Sequence, residues 1–113
     1  MEQSRAPWYM TVVYRSQRSE WLCQQAGRLF AIGQVTLAAC KFEEALTPLD
    51  ALLALKEAGP SHSRSLDYAD LAQRYITTCT QLGQCYRRME RLHEAVATYT
   101  HLLENPRIEI PEV

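Results

Sequence analysis

The sequence predicts an all-α fold of two antiparallel helical hairpins, four main helices in all, preceded by an N-terminal arm. Three observations carry that prediction. Apolar residues recur every three or four positions through most of the chain, the spacing of a helical stripe rather than of a strand. Sliding the sequence against itself by 50 residues aligns two segments without a gap: Gly33 falls on Gly83, Gln34 on Gln84, Glu44 on Glu94, Ala45 on Ala95, Leu52 on Leu102 and Leu53 on Leu103. Finally, 113 residues with 47% apolar and 22% charged content suffice for one hydrophobic core but not two. The plan is therefore an arm over residues 1–15, a helical domain over 16–106 holding repeat one (19–57) and repeat two (66–104), and a frayed tail over 107–113.

The arm is assigned from Trp8-Tyr9-Met10-Thr11-Val12-Val13-Tyr14, a run of aromatic and β-branched residues with no partner strand elsewhere in the chain. So many large apolar groups need a cover, which makes Trp8, Tyr9, Met10 and Tyr14 a candidate interface with the chain's own helices or with a neighbouring copy. In repeat one, Leu22, Ala26, Leu29, Ile32, Gly33, Thr36 and Cys40 form the stripe of a first helix capped by Ser19. Phe42, Ala45, Leu46, Leu49, Leu52 and Leu53 form that of a second. Pro48 predicts a kink there, because it removes the hydrogen bond to the carbonyl of Glu44 at a cost of about 3 kcal/mol; alternatively Thr47 caps a separate short helix with Pro48 as its first residue.

Repeat two is the clearer copy. Ala72, Tyr75, Cys79, Leu82, Tyr86 and Met89 share one face of a long helix that starts near Leu66, with Ser65, Asp67 and Asp70 as capping and first-turn acidic groups. After the polar stretch Arg87 to Arg91, the residues Leu92, Ala95, Val96, Tyr99, Leu102 and Leu103 define a helix over about 92–104, ended by Asn105-Pro106.

These spacings resemble the tetratricopeptide repeat, a helix-turn-helix unit that stacks on its neighbours. Leu82-Gly83, Tyr86, Ala95, Tyr99 and Leu102 stand at that family's intervals, with Cys79 in place of the usual large apolar residue and Pro106 one position early. In repeat one Leu29, Ile32-Gly33, Ala45, Leu49 and Leu52 do so, while Thr36 stands where an aromatic is usual. The period of 50 exceeds the usual 34 or so, similar to enlarged repeats of cargo adaptors and regulatory scaffolds. The resemblance implies close helix packing at Gly33 and Gly83. It also implies a concave groove lined by the first helix of each unit: Gly27, Phe30, Gln34, Leu37 and Ala38, then Thr77, Thr80, Gln81, Gln84, Arg87 and Arg88. Phe30, Gln34 and Gln81 occupy places where one subfamily carries the Lys and Asn clamp for chaperone tails, so that ligand is not expected. Two repeats leave open ends, which the arm, a homodimer or a larger complex would cover.

The function expected is a non-enzymatic protein-interaction scaffold or adaptor that takes a partner helix or extended peptide with an apolar anchor and a carboxylate. No cofactor or metal is expected: His93 and His101 are eight apart, and Cys23, Cys40, Cys79 and Cys85 form no CxxC pair. One alternative is a nucleic-acid binder using Arg74, Arg87, Arg88 and Arg91, against which the net charge of −1 weighs. Another is a small thiol or hydrolytic enzyme, for which no nucleophile motif is present. No apolar run reaches membrane-spanning length and no basic leader precedes an apolar core, so a cytoplasmic or nuclear setting is expected.

Overall fold

The computed structural model describes residues 8–58 and 67–108 of the chain. Four helices carry it: α1 (Trp8–Ala31), α2 (Val35–Ala54), α3 (Tyr68–Arg88) and α4 (Leu92–Glu104), with a 3₁₀ turn at Leu55–Ala58 and no strand among the described residues. α1 packs on α2, α2 on α3 and α3 on α4, which gives two hairpins laid side by side and sharing the α2–α3 seam. The all-α architecture and the bounds of α4 are those the sequence predicts.

The extended arm is corrected. Residues 8–15 form the first two turns of α1. Val12 is 4% exposed and packs with Leu49, Leu53, Leu71 and Tyr75. Burying such a side chain is worth about 1.5–3 kcal/mol, whereas the helical penalty of a β-branched residue is a few tenths, so tertiary packing decides the conformation. With α1 already under way, Ser19 is not a cap. Its fully buried hydroxyl donates to the Ser16 carbonyl at 2.9 Å.

α2 also differs from expectation. It runs unbroken from Val35 through the buried Pro48 to Ala54, so Thr36 and Cys40 belong to the second helix and Thr47 starts no new one. In α3 the N-cap is Asp67, whose Oδ1 accepts from the Asp70 amide at 3.1 Å; Ser65 lies outside the described residues. Of the tail, Arg107 and Ile108 are anchored. Ile108 is 8% exposed in the same cluster as Val12, and Arg107 Nε donates to Glu57 Oε2 at 3.0 Å. Residues 109–113 lie outside the description.

The two interhelical turns are duplicates. The Gly33 amide donates to Phe30 and the Gln34 amide to Leu29, while Glu90 donates to Arg87 and Arg91 to Tyr86. Ile32 to Arg28 matches Met89 to Cys85, and Ala38 to Gln34 matches Ala95 to Arg91. Each is a Schellman closure, with Gly33 (φ 84°) and Glu90 (φ 60°) as its left-handed residue. The structural period from Gly33 to Glu90 is thus 57 residues, not 50.

That register pairs Ala26 with Gly83, Ala38 with Ala95, Phe42 with Tyr99 and Ala45 with Leu102. Gly33, expected where helices cross, is instead the turn residue, and a Cβ there would meet nothing within 4 Å. Gly83 does meet its expectation: a Cβ built there would run into the ring of Tyr99. Ala26, Ala38, Ala39 and Phe42 join Leu82, Cys85, Tyr86 and Ala95 in one cluster, so the two hairpins share a core through equivalent small residues.

Candidate functional site

The space between α1 and α3 is a groove of about 300 Å³. Glu20, Cys23, Gln24 and Gly27 line it from α1; Arg74, Thr77, Thr78 and Gln81 line it from α3, with Phe42 beneath. One end is closed by a side-chain clamp. Arg74 Nη1 donates to the Ser19 hydroxyl at 2.9 Å and to the Ser16 carbonyl at 3.3 Å, while its Nη2 pairs with Asp70 at 2.8 Å. Next to it the Cys23 thiol and the Thr78 hydroxyl lie 3.2 Å apart, and Thr78 donates to the Arg74 carbonyl at 2.7 Å. Burial pushes the Cys23 thiol up, against the hydrogen bond with Thr78 and the Arg74 charge, which act the other way.

A separate depression further along α3 is basic. Gln84, Arg87, Arg88 and Leu92 border an open depression of about 530 Å³, and the Arg88 guanidinium lies over the Phe30 ring at 4.3 Å. Stacking on Phe30 holds the charge at the C-terminus of α3, where the helix dipole favours it. Arg91 is committed elsewhere: it lies 5.2 Å over Tyr86 and hydrogen-bonds Glu94, whose carboxyl it holds below the usual range.

The structure therefore brings Thr77 and Gln81 into the groove, and places Gln84, Arg87 and Arg88 around the separate basic depression, with Phe30 stacked on Arg88. It does not bring Gln34 and Leu37 there. Gln34 is the N-cap of α2 and Leu37, 52% exposed, is in the first turn of that helix, because the turn falls at Ile32 to Gln34 rather than near Lys41. Ala38 is buried in the core, and Thr80 is half-buried with its hydroxyl donating to the Ile76 carbonyl. Tyr14 is 62% exposed and lines a separate shallow depression with Gln17, Arg18 and Trp21 on α1. Trp8, Tyr9 and Met10 are helical in backbone, and their side chains lie outside the described residues.

Glu20, Cys23 and Gln24 are the groove residues that sequence reasoning misses. The 57-residue register finds two of them, since Glu20 is the equivalent of Thr77 and Gln24 of Gln81; Cys23 is the equivalent of Thr80, which does not line the groove. Gln24 and Gln81 present amide donors and acceptors to the groove from its two sides. Among the described residues no three His, Cys, Asp or Glu side chains converge as a metal site, and no helix is long and apolar enough to cross a membrane.

No protein-family model matches the chain, and no curated protein or solved structure is significantly similar to it.

Proposed function

We propose that the chain is a non-enzymatic protein-interaction module, a scaffold or adaptor whose α1–α3 groove holds a partner peptide or helix. The observation that carries this reading is a groove bearing Gln24 and Gln81 together with a separate basic depression formed further along α3 by Gln84, Arg87 and Arg88. A partner segment would lay its backbone against the amides and a carboxylate against Arg87 and Arg88. The tetratricopeptide-like repeat is the architecture this reading takes. Its support is the small, small, aromatic spacing of Ala26, Ala38 and Phe42, repeated in Gly83, Ala95 and Tyr99.

A nucleic-acid role gains nothing from the arginines: Arg74 and Arg91 are both held by carboxylates, which leaves Arg87 and Arg88 as the open pair. The test is a lysate capture with the wild-type chain beside a Phe30→Asp, Arg87→Glu, Arg88→Glu variant matched for helicity and sedimentation. A synthetic segment of any protein lost from the variant is then titrated against both. A drop in affinity of about tenfold or more supports the groove; an unchanged captured set sinks it.

A further inference from the structure

Where the first two turns of α3 pass the end of α2, the molecule has a recess of about 350 Å³. Ala69 and Ala72 stand on its α3 side, four and three residues from their larger neighbours Gln73 and Tyr68 or Ile76, and their small side chains leave the space. The walls are apolar. Leu53 is 1% exposed in the core cluster that also holds Leu71 and Tyr75, and Tyr68, Ala72 and Ile76 pack against that cluster. The recess is thus an outward extension of the main core, bounded by residues that burial already fixes in place.

Its charge has one sign. Lys56, from the 3₁₀ turn after α2, and Arg107, beyond α4, line it, and no Asp or Glu does. Arg107 is balanced by Glu57, to which its Nε and Nη2 donate at 3.0 and 3.3 Å. Lys56 is in no ion pair among the described residues, so the recess carries one unbalanced positive charge. The remaining polar group, Gln73, donates its amide along α3 to the Thr77 hydroxyl at 3.4 Å. An apolar recess with a small number of placed polar groups is the general form of a small-molecule site.

We propose that this recess binds a small amphipathic monocarboxylate, its apolar body against Leu53, Tyr68, Ala72 and Ile76 and its carboxylate on the Lys56 ammonium. A cavity of about 150 Å³ holds benzene, so a recess of about 350 Å³ takes a chain of about eight to ten carbons or two fused aromatic rings. An organic cation would meet Lys56 and Arg107 with no carboxylate lining the recess to receive it, and a dianion would bring a second charge beside Glu57, which already balances Arg107. The site is at the N-terminal end of α3, whereas Arg87 and Arg88 are at its C-terminal end, so it stands whether or not the groove and the basic depression bind a partner.

The test titrates the full chain, isotopically labelled, with octanoate and with its uncharged analogue octanamide, and follows the backbone amides by nuclear magnetic resonance. Four variants are compared with wild type: Lys56→Glu, Ala72→Leu, Ala69→Leu and the Phe30→Asp, Arg87→Glu, Arg88→Glu triple variant. Ala69 is exposed, so Ala69→Leu narrows the recess even if Ala72→Leu disturbs the core, and circular dichroism verifies that the helices persist. Saturable octanoate shifts are expected at Lys56, Ala69, Ala72 and Gln73. Lys56→Glu should weaken octanoate by about tenfold or more and octanamide by less than about twofold, a folded alanine variant should weaken both, and the triple variant should change neither by more than about twofold. No saturable binding of octanoate overturns the proposal. So do shifts centred elsewhere, equal effects of Lys56→Glu on the acid and the amide, or binding that the alanine variants leave unchanged.

Discussion

Gly33 and Glu90 occupy the same left-handed position in two turns with the same hydrogen bonds, at φ 84° and 60°. An L side chain in that region carries a steric cost of roughly 1–2 kcal/mol, and glycine avoids it while adding about 0.5–1 kcal/mol of unfolded-state entropy. Glu90→Gly should therefore stabilise the protein by about 0.5–1 kcal/mol, and Gly33→Ala should destabilise it by about 1 kcal/mol. Urea denaturation of the two variants measures both. Equal destabilisation by the two would show that the side chain of Glu90 has a favourable role that offsets its backbone.

The same pair explains what the sequence discloses and what it withholds. Helix number, the apolar stripes and the bounds of α4 are legible because burial follows the helical period. The repeat register is legible only to within seven residues. Registers of 50 and 57 differ by one heptad, almost two helical turns, so the stripes coincide in either and periodicity cannot choose between them. Glycine then misleads: Gly33 closes a turn and Gly83 admits a ring, two different uses of one missing Cβ. Placing Gly33 on Gly83 displaces the groove assignment in repeat one onto Gln34 and Leu37, and Glu20, Cys23 and Gln24 go unseen. Likewise, the β-branched run of residues 11–13 conceals a helix that is decided by where Val12 packs, a tertiary fact.

Gly83 and Tyr99 make the close approach between α3 and α4 testable. A methyl group at position 83 would overlap the Tyr99 ring, and the ring's outer end must swing away. Overpacking of this kind costs about 1–3 kcal/mol. Gly83→Ala should fall in that range, and combining it with Tyr99→Leu should cost less than the sum of the two single changes. Strict additivity in the double-mutant cycle would mean that the two residues do not meet.

Arg74 holds α1 against α3 through Ser16 and Ser19, with Asp70 balancing its charge. Its side chain is 19% exposed and the Ser19 hydroxyl is fully buried, so removing the guanidinium leaves polar atoms without partners. Arg74→Ala should destabilise by about 2–3 kcal/mol, and Arg74→Lys should recover only part, because an ammonium cannot span the serines and the carboxylate with a planar fork. Thermal or urea midpoints decide it; a loss under about 0.5 kcal/mol, typical of a surface ion pair, would refute the clamp.

Thiol accessibility separates the four cysteines. Cys40 is exposed, Cys23 is half-buried beside Thr78, and Cys79 and Cys85 are buried with thiols pushed up by burial. At neutral pH an alkylating reagent should modify Cys40 first and reach Cys79 and Cys85 only on unfolding. Mass spectrometry of a time course resolves the order. Rapid modification of Cys79 in the folded protein would contradict the packing of α3 and reopen a thiol chemistry.

The same burial makes stability depend on alkaline pH. Cys79 is fully buried among Leu49, Leu52 and Tyr75, and desolvation raises its thiol from 9.0 to about 11. Below pH 9 the thiol is protonated in both folded and unfolded chains, and the stabilisation from this site is fully present. Between pH 9 and 11 the unfolded chain releases the proton first, so the unfolded state gains and stability falls by on the order of 2 kcal/mol across that window. Cys23, Cys85 and Tyr75 shift in the same direction for the same reason and steepen the fall. Urea titrations at pH 8 and pH 10.5 on wild type and Cys79→Ala measure the difference. The variant should start less stable, because a buried side chain is trimmed, yet lose less on going to high pH. Parallel losses in the two proteins would place the alkaline sensitivity elsewhere in the molecule.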